Sequence, residues 1–197
     1  MARVRDVMID EVPAALRPIY ERYAGDYGGF ENAARVFAHR PILLERMMGM
    51  MLALKDEGFL DKRVLEIVMT AVARTKACTY CVAHHAPRLL SLGLGPESID
   101  AILEPDCPGL DERDRLVRDY AVQVVTDPRR LSDTIFEKMR ATFSEPEIVE
   151  ITFRACITAF YSDFNNALDT AVEDDFLAGL KALEGAVALE RQREAGD

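Results

Sequence analysis

The sequence predicts an all-α fold, a helical bundle with two pseudo-repeated halves. Two observations carry this. Apolar residues recur at three- and four-residue spacing along most of the chain, and no run alternates convincingly with period two. Glycine, proline and capping residues then punctuate the chain at helix-length intervals. Val12 to Tyr27 reads as a first helix, closed by Gly28-Gly29, and Glu31 to His39 as a short second one, stopped before Pro41. Ile42 to Asp56 is a third, ending at Gly58. Asp61 is placed to cap a fourth, Lys62 to Arg74, which carries Glu66 on an otherwise apolar run. A fifth helix runs from about Cys78 to Leu92 and stops at Gly93. Gly95-Pro96 starts a short helix to Leu103, and residues 104–109 form the clearest loop. Asp111 to Val125, Ser132 to Phe143 and Pro146 to about Val172 follow, the last opened by the capping box Ser144-Glu-Pro-Glu147. A final amphipathic helix reaches about Leu189, and 190–197 is expected to be a charged tail.

Composition bounds what such a chain does. At 197 residues, 49% of them apolar, it is long enough to bury a core, so residues 1–189 are expected to form a single domain. A net charge of -10 argues against nucleic acid and anionic membranes as partners. Residues 1–10 contain no apolar core of signal-peptide length. The most apolar stretch, Ile42 to Leu54, is interrupted by Glu45 and Arg46 and is too short to span a bilayer. A cytoplasmic location is expected, where a CxxC pair more often serves catalysis or metal binding than structure.

The second half echoes the first. Ile148 to Ala155 laid over Val64 to Ala71 gives three identities in eight, pairing Glu150 with Glu66. Without a gap, Ser162 then falls opposite Cys78, Asn165 opposite Cys81 and Asp169 opposite His85. Two amphipathic helices sharing a period by chance is the plainer account. If the repeat holds, an active half covers about 15–105 and a degenerate copy about 110–180.

Chemistry concentrates in Cys78-Thr-Tyr-Cys81-Val-Ala-His84-His85. On a helix Cys81 and His85 are i,i+4 neighbours and share a face. Cys78 and Cys81, at i,i+3, are close enough for a disulfide at an accessible helix N-terminus, where a thiolate forms more readily. Duller readings stand beside this one. The cysteines with His84 and His85 make half of a zinc site, although a closed site wants four ligands. Glu66 is a candidate ion-paired core residue, with Arg74 or Lys76 as partner. Cys107 and Cys156 have no partner spacing, and Cys156 among apolar neighbours reads as core packing. His84, one residue from His85, is expected to point away from the site. Met47, Met48, Met50 and Met51 read as core filler or an interface.

Glu66, Cys78, Cys81 and His85, at spacing E-x11-C-x2-C-x3-H, resemble the signature of the alkylhydroperoxidase D-like (AhpD-like) proteins of the carboxymuconolactone decarboxylase superfamily. Residues 60–63, 92–94, 110–115 and 143–150 are similar to the uncharacterised peroxidase-related branch. The likeness covers about 15–180. It implies a thiol-dependent peroxidase or disulfide reductase, a peroxiredoxin-type antioxidant activity that needs no cofactor and no metal. By that resemblance Cys81 would be the peroxidatic nucleophile. Cys78 would protonate the leaving oxygen and then resolve the sulfenic acid, while Glu66 and His85 would relay the proton. Substrate and partner would be a hydroperoxide and an external thiol or lipoyl-type reductant. Tyr80 departs from the well-studied peroxidase branch, which carries histidine there. The alternative is a non-enzymatic helical oligomer that binds a small hydrophobic ligand, with the thiols as a redox sensor. A homo-oligomer, a trimer or hexamer, is expected on either reading. The family implies it, and the helix from Ile42 to Leu54 is apolar over more than one stripe.

Overall fold

A computed structural model describes residues 2–25 and 27–194 of the chain. Among them every regular element is a helix. A single helix at the centre explains the arrangement. Helix α5 (Lys62–Thr75) buries Val64, Ile67, Val68, Ala71 and Val72 completely. Because α5 is buried on all sides over Ile67 to Ala73, neighbours must surround it, and each fully buried Val or Ile contributes about 1.5–3 kcal/mol. Those neighbours are α6 (Thr79–Ser91), α8 (Glu112–Thr126) and the long α10 (Glu145–Leu168).

Asp61 caps α5 as expected, its carboxylate accepting from the backbone N–H groups of Arg63 and Val64 at 3.0 and 3.1 Å. Arg63 then donates to the buried Asp114 carboxylate at 2.7 and 2.9 Å and to the Gly109 carbonyl at 2.8 Å. Two of the stretches that carried the family likeness, 60–63 and 110–115, therefore clamp each other and lock α5 to α8. A capping box between Asp111 and Asp114 starts α8.

The turn from α5 to α6 is the local feature that builds the site. Ala77 sits in the left-handed region at φ 50° while the Cys78 N–H returns to the Ala73 carbonyl at 2.9 Å. So short a turn folds α6 back antiparallel to α5, which brings Glu66 and His85 to matching heights. Helix α10 runs unbroken through the corresponding stretch and ends at Asp169, φ 52°. Helix α10 thus lacks the break that creates the CxxC turn between α5 and α6.

Around this core, α1 (Arg17–Ala24), α2 (Glu31–Phe37), α3 (Pro41–Leu43) and α4 (Gly49–Glu57) form an N-terminal layer. The predicted third helix is α3 and α4 joined by a π-helical turn, Leu44–Met48, and Gly58 ends it at φ 62°. Met48 and Met51 are buried within the chain and Met47 and Met50 half-buried, so much of the methionine cluster is core of this chain. Ile42 and Leu43 remain exposed. Short α7 (Pro96–Asp100) and α9 (Asp133–Thr142) close the ends. The last helix, α11 (Asp174–Glu194), runs past the predicted stop at Leu189, with Arg191 paired to Asp100 at 2.5 Å. Residues 195–197 of the expected tail lie outside the described residues. Among the described residues no helix is long and apolar enough to cross a membrane.

Candidate active site

All four signature residues converge where α5 and α6 meet α10. Cys78 is the N-cap of α6 and is bonded to Cys81 in a disulfide, with Cα atoms 5.3 Å apart. The Cys78 sulfur accepts the Cys81 N–H at 3.1 Å. Cys81 lies in the first helical turn, where unpaired backbone N–H groups favour a thiolate. The accessible helix start expected from sequence is in fact sealed. Cys78 is fully buried and Cys81 is 4% exposed, because α10 closes over them. From α10, Ser162 donates to the Cys81 sulfur at 3.4 Å and Asn165 approaches it at 3.9 Å.

Glu66 and His85 form the second component. The Glu66 carboxylate meets His85 Nδ1 at 2.8 Å, and its other oxygen accepts from Arg88 at 3.3 Å. Burial pushes Glu66 up, but His85 and Arg88 outweigh it and hold the carboxyl below the usual carboxylate range. Burial, reinforced by Arg88 and His84, keeps His85 below its ordinary value despite Glu66, so the imidazole is neutral near pH 7. A neutral ring beside a carboxylate donates from Nδ1, which leaves Nε2 as the basic nitrogen. Of the alternative partners for Glu66, Arg74 pairs with Asp100 and Lys76 with Asp163 instead.

Cys81 and His85 open on one small cavity of about 30 Å³ walled by Tyr23, Tyr27, Phe30, Met69 and Tyr161. That is room for a water or for the two oxygens of a hydroperoxide. Cys78 does not line it. Tyr80 turns its hydroxyl to Glu173, at 3.1 Å, and accepts the Ala33 N–H at 3.2 Å. His84, fully buried between Phe30 and Phe176, bonds Glu173 at 2.8 Å and does not line the cavity. Glu173 thus ties the start of α11 to α6. Among the described residues no three His, Cys, Asp or Glu side chains group as a metal site. Cys156 is exposed rather than packed in the core, since the buried stripe of α10 passes through Ala155 and Thr158.

Arg88 and Glu173 were not singled out from the sequence, and Ser162 and Asn165 entered only as repeat counterparts of Cys78 and Cys81, with no role at the sulfur. Arg88 stands three residues after His85, one turn along the same face, so spacing alone marked it. Ser162 and Asn165 are an i,i+3 polar pair on an apolar helix, but which surface they faced needed the tertiary fold. Glu173 lies in a loop and left no periodic signal.

Arg88 also explains Gly28, whose φ of 131° places a Cβ in collision with the guanidinium. Gly28→Ala should cost about 1–3 kcal/mol in denaturant unfolding and lower activity by displacing Arg88 from Glu66. Gly93→Ala, at φ 88° but with nothing nearby, should lose stability through backbone strain alone and leave activity intact.

The family model described as carboxymuconolactone decarboxylase family matches residues 41–112. No curated protein matches the chain. An uncharacterised peroxidase-related protein from Ralstonia eutropha, with an alkylhydroperoxidase AhpD core, is 22% identical with a TM-score of 0.76, over 89% of this chain and 94% of that one. The debrominase Bmp8 in complex with 2,3,4-tribromopyrrole is 18% identical at a TM-score of 0.76, over 91% of this chain and 96% of that one. A peroxidase-related protein from Silicibacter sp. is 17% identical at 0.68, over 89% and 93%. These likenesses carry the all-α fold, and the family match spans Glu66, both cysteines and His85. Over residues 41–112 the chain is similar to the carboxymuconolactone decarboxylase family, and its fold is that of the AhpD-like structures.

Proposed function

We propose that the protein is a thiol-dependent peroxidase that reduces hydroperoxides through Cys81 and Cys78. The observation that carries this is the shared cavity: one sulfur of the disulfide and a neutral, carboxylate-oriented imidazole face the same small space. In the dithiol form His85 Nε2 takes the Cys81 proton, and the thiolate attacks the terminal oxygen of R–O–O–H. The O–O bond breaks, Cys81 becomes a sulfenic acid, and the alkoxide takes a proton from Cys78 to leave as an alcohol. The Cys78 thiolate then attacks the Cys81 sulfur to form the disulfide. Hydroxide leaves with the proton held by His85, as water. An external dithiol or lipoyl-type reductant supplies two electrons to restore the thiols. Ser162 and the helix N-terminus stabilise the thiolate between these steps.

Steady-state consumption of hydroperoxide with thioredoxin-like, lipoyl and small-thiol donors, side by side, tests the reading. Turnover with at least one donor is expected. A protein inert with all three, yet binding small apolar ligands, would instead favour the redox sensor. The debrominase neighbour, seen with 2,3,4-tribromopyrrole, supports adding a bromopyrrole as an alternative electron acceptor.

Exposed Ile42 and Leu43 beside half-buried Met47 and Met50 support a homo-oligomer built on this edge. Light scattering at low micromolar concentration should give a multiple of the 22.1 kDa chain mass, three or six. A mass of one chain would contradict it.

A further inference from the structure

Helix α10 does more than cover the disulfide. Its Asn165, 4% exposed, lines the small cavity together with Cys81 and His85. The amide nitrogen Nδ2 lies 3.9 Å from the Cys81 sulfur. A disulfide or thiolate sulfur accepts hydrogen bonds and donates none, so the N–H side of the amide belongs against it and the oxygen takes the other side. That oxygen, Oδ1, is buried and meets no donor among the described residues. The backbone of the same residue is satisfied, its carbonyl accepting the Thr170 N–H at 3.0 Å just past the end of α10. A buried acceptor without a donor carries an uncompensated desolvation cost, and folded proteins keep few of them.

The other polar groups around this space are committed elsewhere or are weaker acceptors. The Tyr80 hydroxyl serves Glu173 and Ala33. His85 Nε2 takes the Cys81 proton in the reaction proposed above, and an imidazolium only donates. Burial pushes the Tyr161 phenol up, so it keeps its proton, and a phenol oxygen accepts less strongly than an amide oxygen. Once the thiolate has formed, Asn165 Oδ1 is a strong acceptor on the cavity wall with nothing yet to accept.

We propose that Asn165 orients the peroxide: Nδ2–H holds the Cys81 thiolate while Oδ1 accepts the O–H of the terminal oxygen. This rests on the peroxidase reading of the site. One planar amide, whose nitrogen and oxygen share a carbon, then sets the sulfur beside the oxygen it attacks. The proton stays on that oxygen throughout. As the S–O bond forms and the O–O bond breaks, the O–H of the hydroperoxide becomes the O–H of the Cys81 sulfenic acid, held by the same amide. The substrate class that gains from this contact is the peroxide with a free O–O–H. An oxidant without a donor gains nothing from Oδ1.

Two oxidants that meet the same thiolate separate this role from a structural one. tert-Butyl hydroperoxide carries the O–H, and methyl methanethiosulfonate carries no donor. After attack by Cys81 and closure by Cys78, either leaves the reduced pair as the disulfide. The first releases an alcohol and water, the second methanesulfinate and methanethiol. The ratio of the two closure rates in one protein cancels the thiolate fraction. Asn165→Leu should lower that ratio about tenfold, the scale of one hydrogen bond. Asn165→Asp, which keeps an acceptor in place, should hold it near the wild-type value. Ser162→Ala, which loses a contact to the sulfur alone, should slow both reactions and leave the ratio unchanged. Asn165→Val reads the same ratio if the leucine variant does not fold. A ratio unmoved by the apolar variants, or lowered equally by Asn165→Asp, would overturn the proposal and leave the peroxidase standing. Wild-type protein that closes with the thiosulfonate but not with the hydroperoxide would remove the peroxidase reading, and the orienting role with it.

Discussion

Cys81→Ser is expected to abolish hydroperoxide reduction, lowering kcat/KM by about 10³-fold or more, as loss of a covalent nucleophile does. The size of the effect follows from position. Cys81 is the thiol on the cavity, the one that Ser162 contacts, and one helical turn from the base. A serine hydroxyl there has neither the acidity nor the soft sulfur needed to break an O–O bond. Cys78→Ser should behave differently. It should retain one turnover, because the nucleophile is intact, though slowed by loss of the Cys78 proton for the leaving alkoxide, and then stall for lack of a partner to form the disulfide. Single-turnover consumption of peroxide by the two reduced variants distinguishes them. Equal loss of the first turnover in both would mean that the cysteines share the attack.

Glu66→Gln should lower kcat by about 10²-fold, the scale of a lost general-base function. The fold should persist, with a loss of about 1–3 kcal/mol from the changed hydrogen bonds to His85 and Arg88. The pH dependence carries a sign. Burial already holds His85 below its usual 6.5, and Glu66 is the group that pulls it upward. Removing that charge lowers the imidazole further, so the acid limb of kcat/KM moves to lower pH even as the rate falls. Stability follows the same linkage. Glu66 is held below its usual 4.5 and His85 below 6.5, so each contributes stability that is present above its unfolded value and lost as pH falls through its folded one. The wild type should therefore weaken in denaturant from just below pH 6.5 downward, and the variant should lack the carboxylate's share near pH 4. An acid limb that moved upward would contradict the relay geometry.

The helices were legible because their signals are local. Asp61, the Ser144 capping box, Gly58 and Gly93 mark ends that depend on a few neighbouring residues. The pairing of Glu66 with His85 was legible through motif spacing, and the antiparallel turn at Ala77 supplies its physical reason. What the sequence hid was tertiary. The CxxC turn looked exposed because a helix N-terminus usually is, yet α10 covers it, and nothing within residues 78–91 encodes that cover. Cys156 looked buried from its apolar neighbours, but its side chain points off the stripe that faces α5. Phe30 and Phe176 enclose His84, and only the fold brings together residues so far apart in sequence.

The central claim is that Cys81 takes the oxygen. Reduced Cys78→Ser protein, given one equivalent of hydroperoxide and a sulfenic-acid probe, is digested and mapped by mass spectrometry, with Cys81→Ser as its reciprocal. The account predicts an adduct on Cys81 in the first protein and none on Cys78 in the second, with exposed Cys156 unlabelled in both. An adduct on Cys78 in the reciprocal variant, or on Cys156 while Cys81 stays a free thiol, would contradict it.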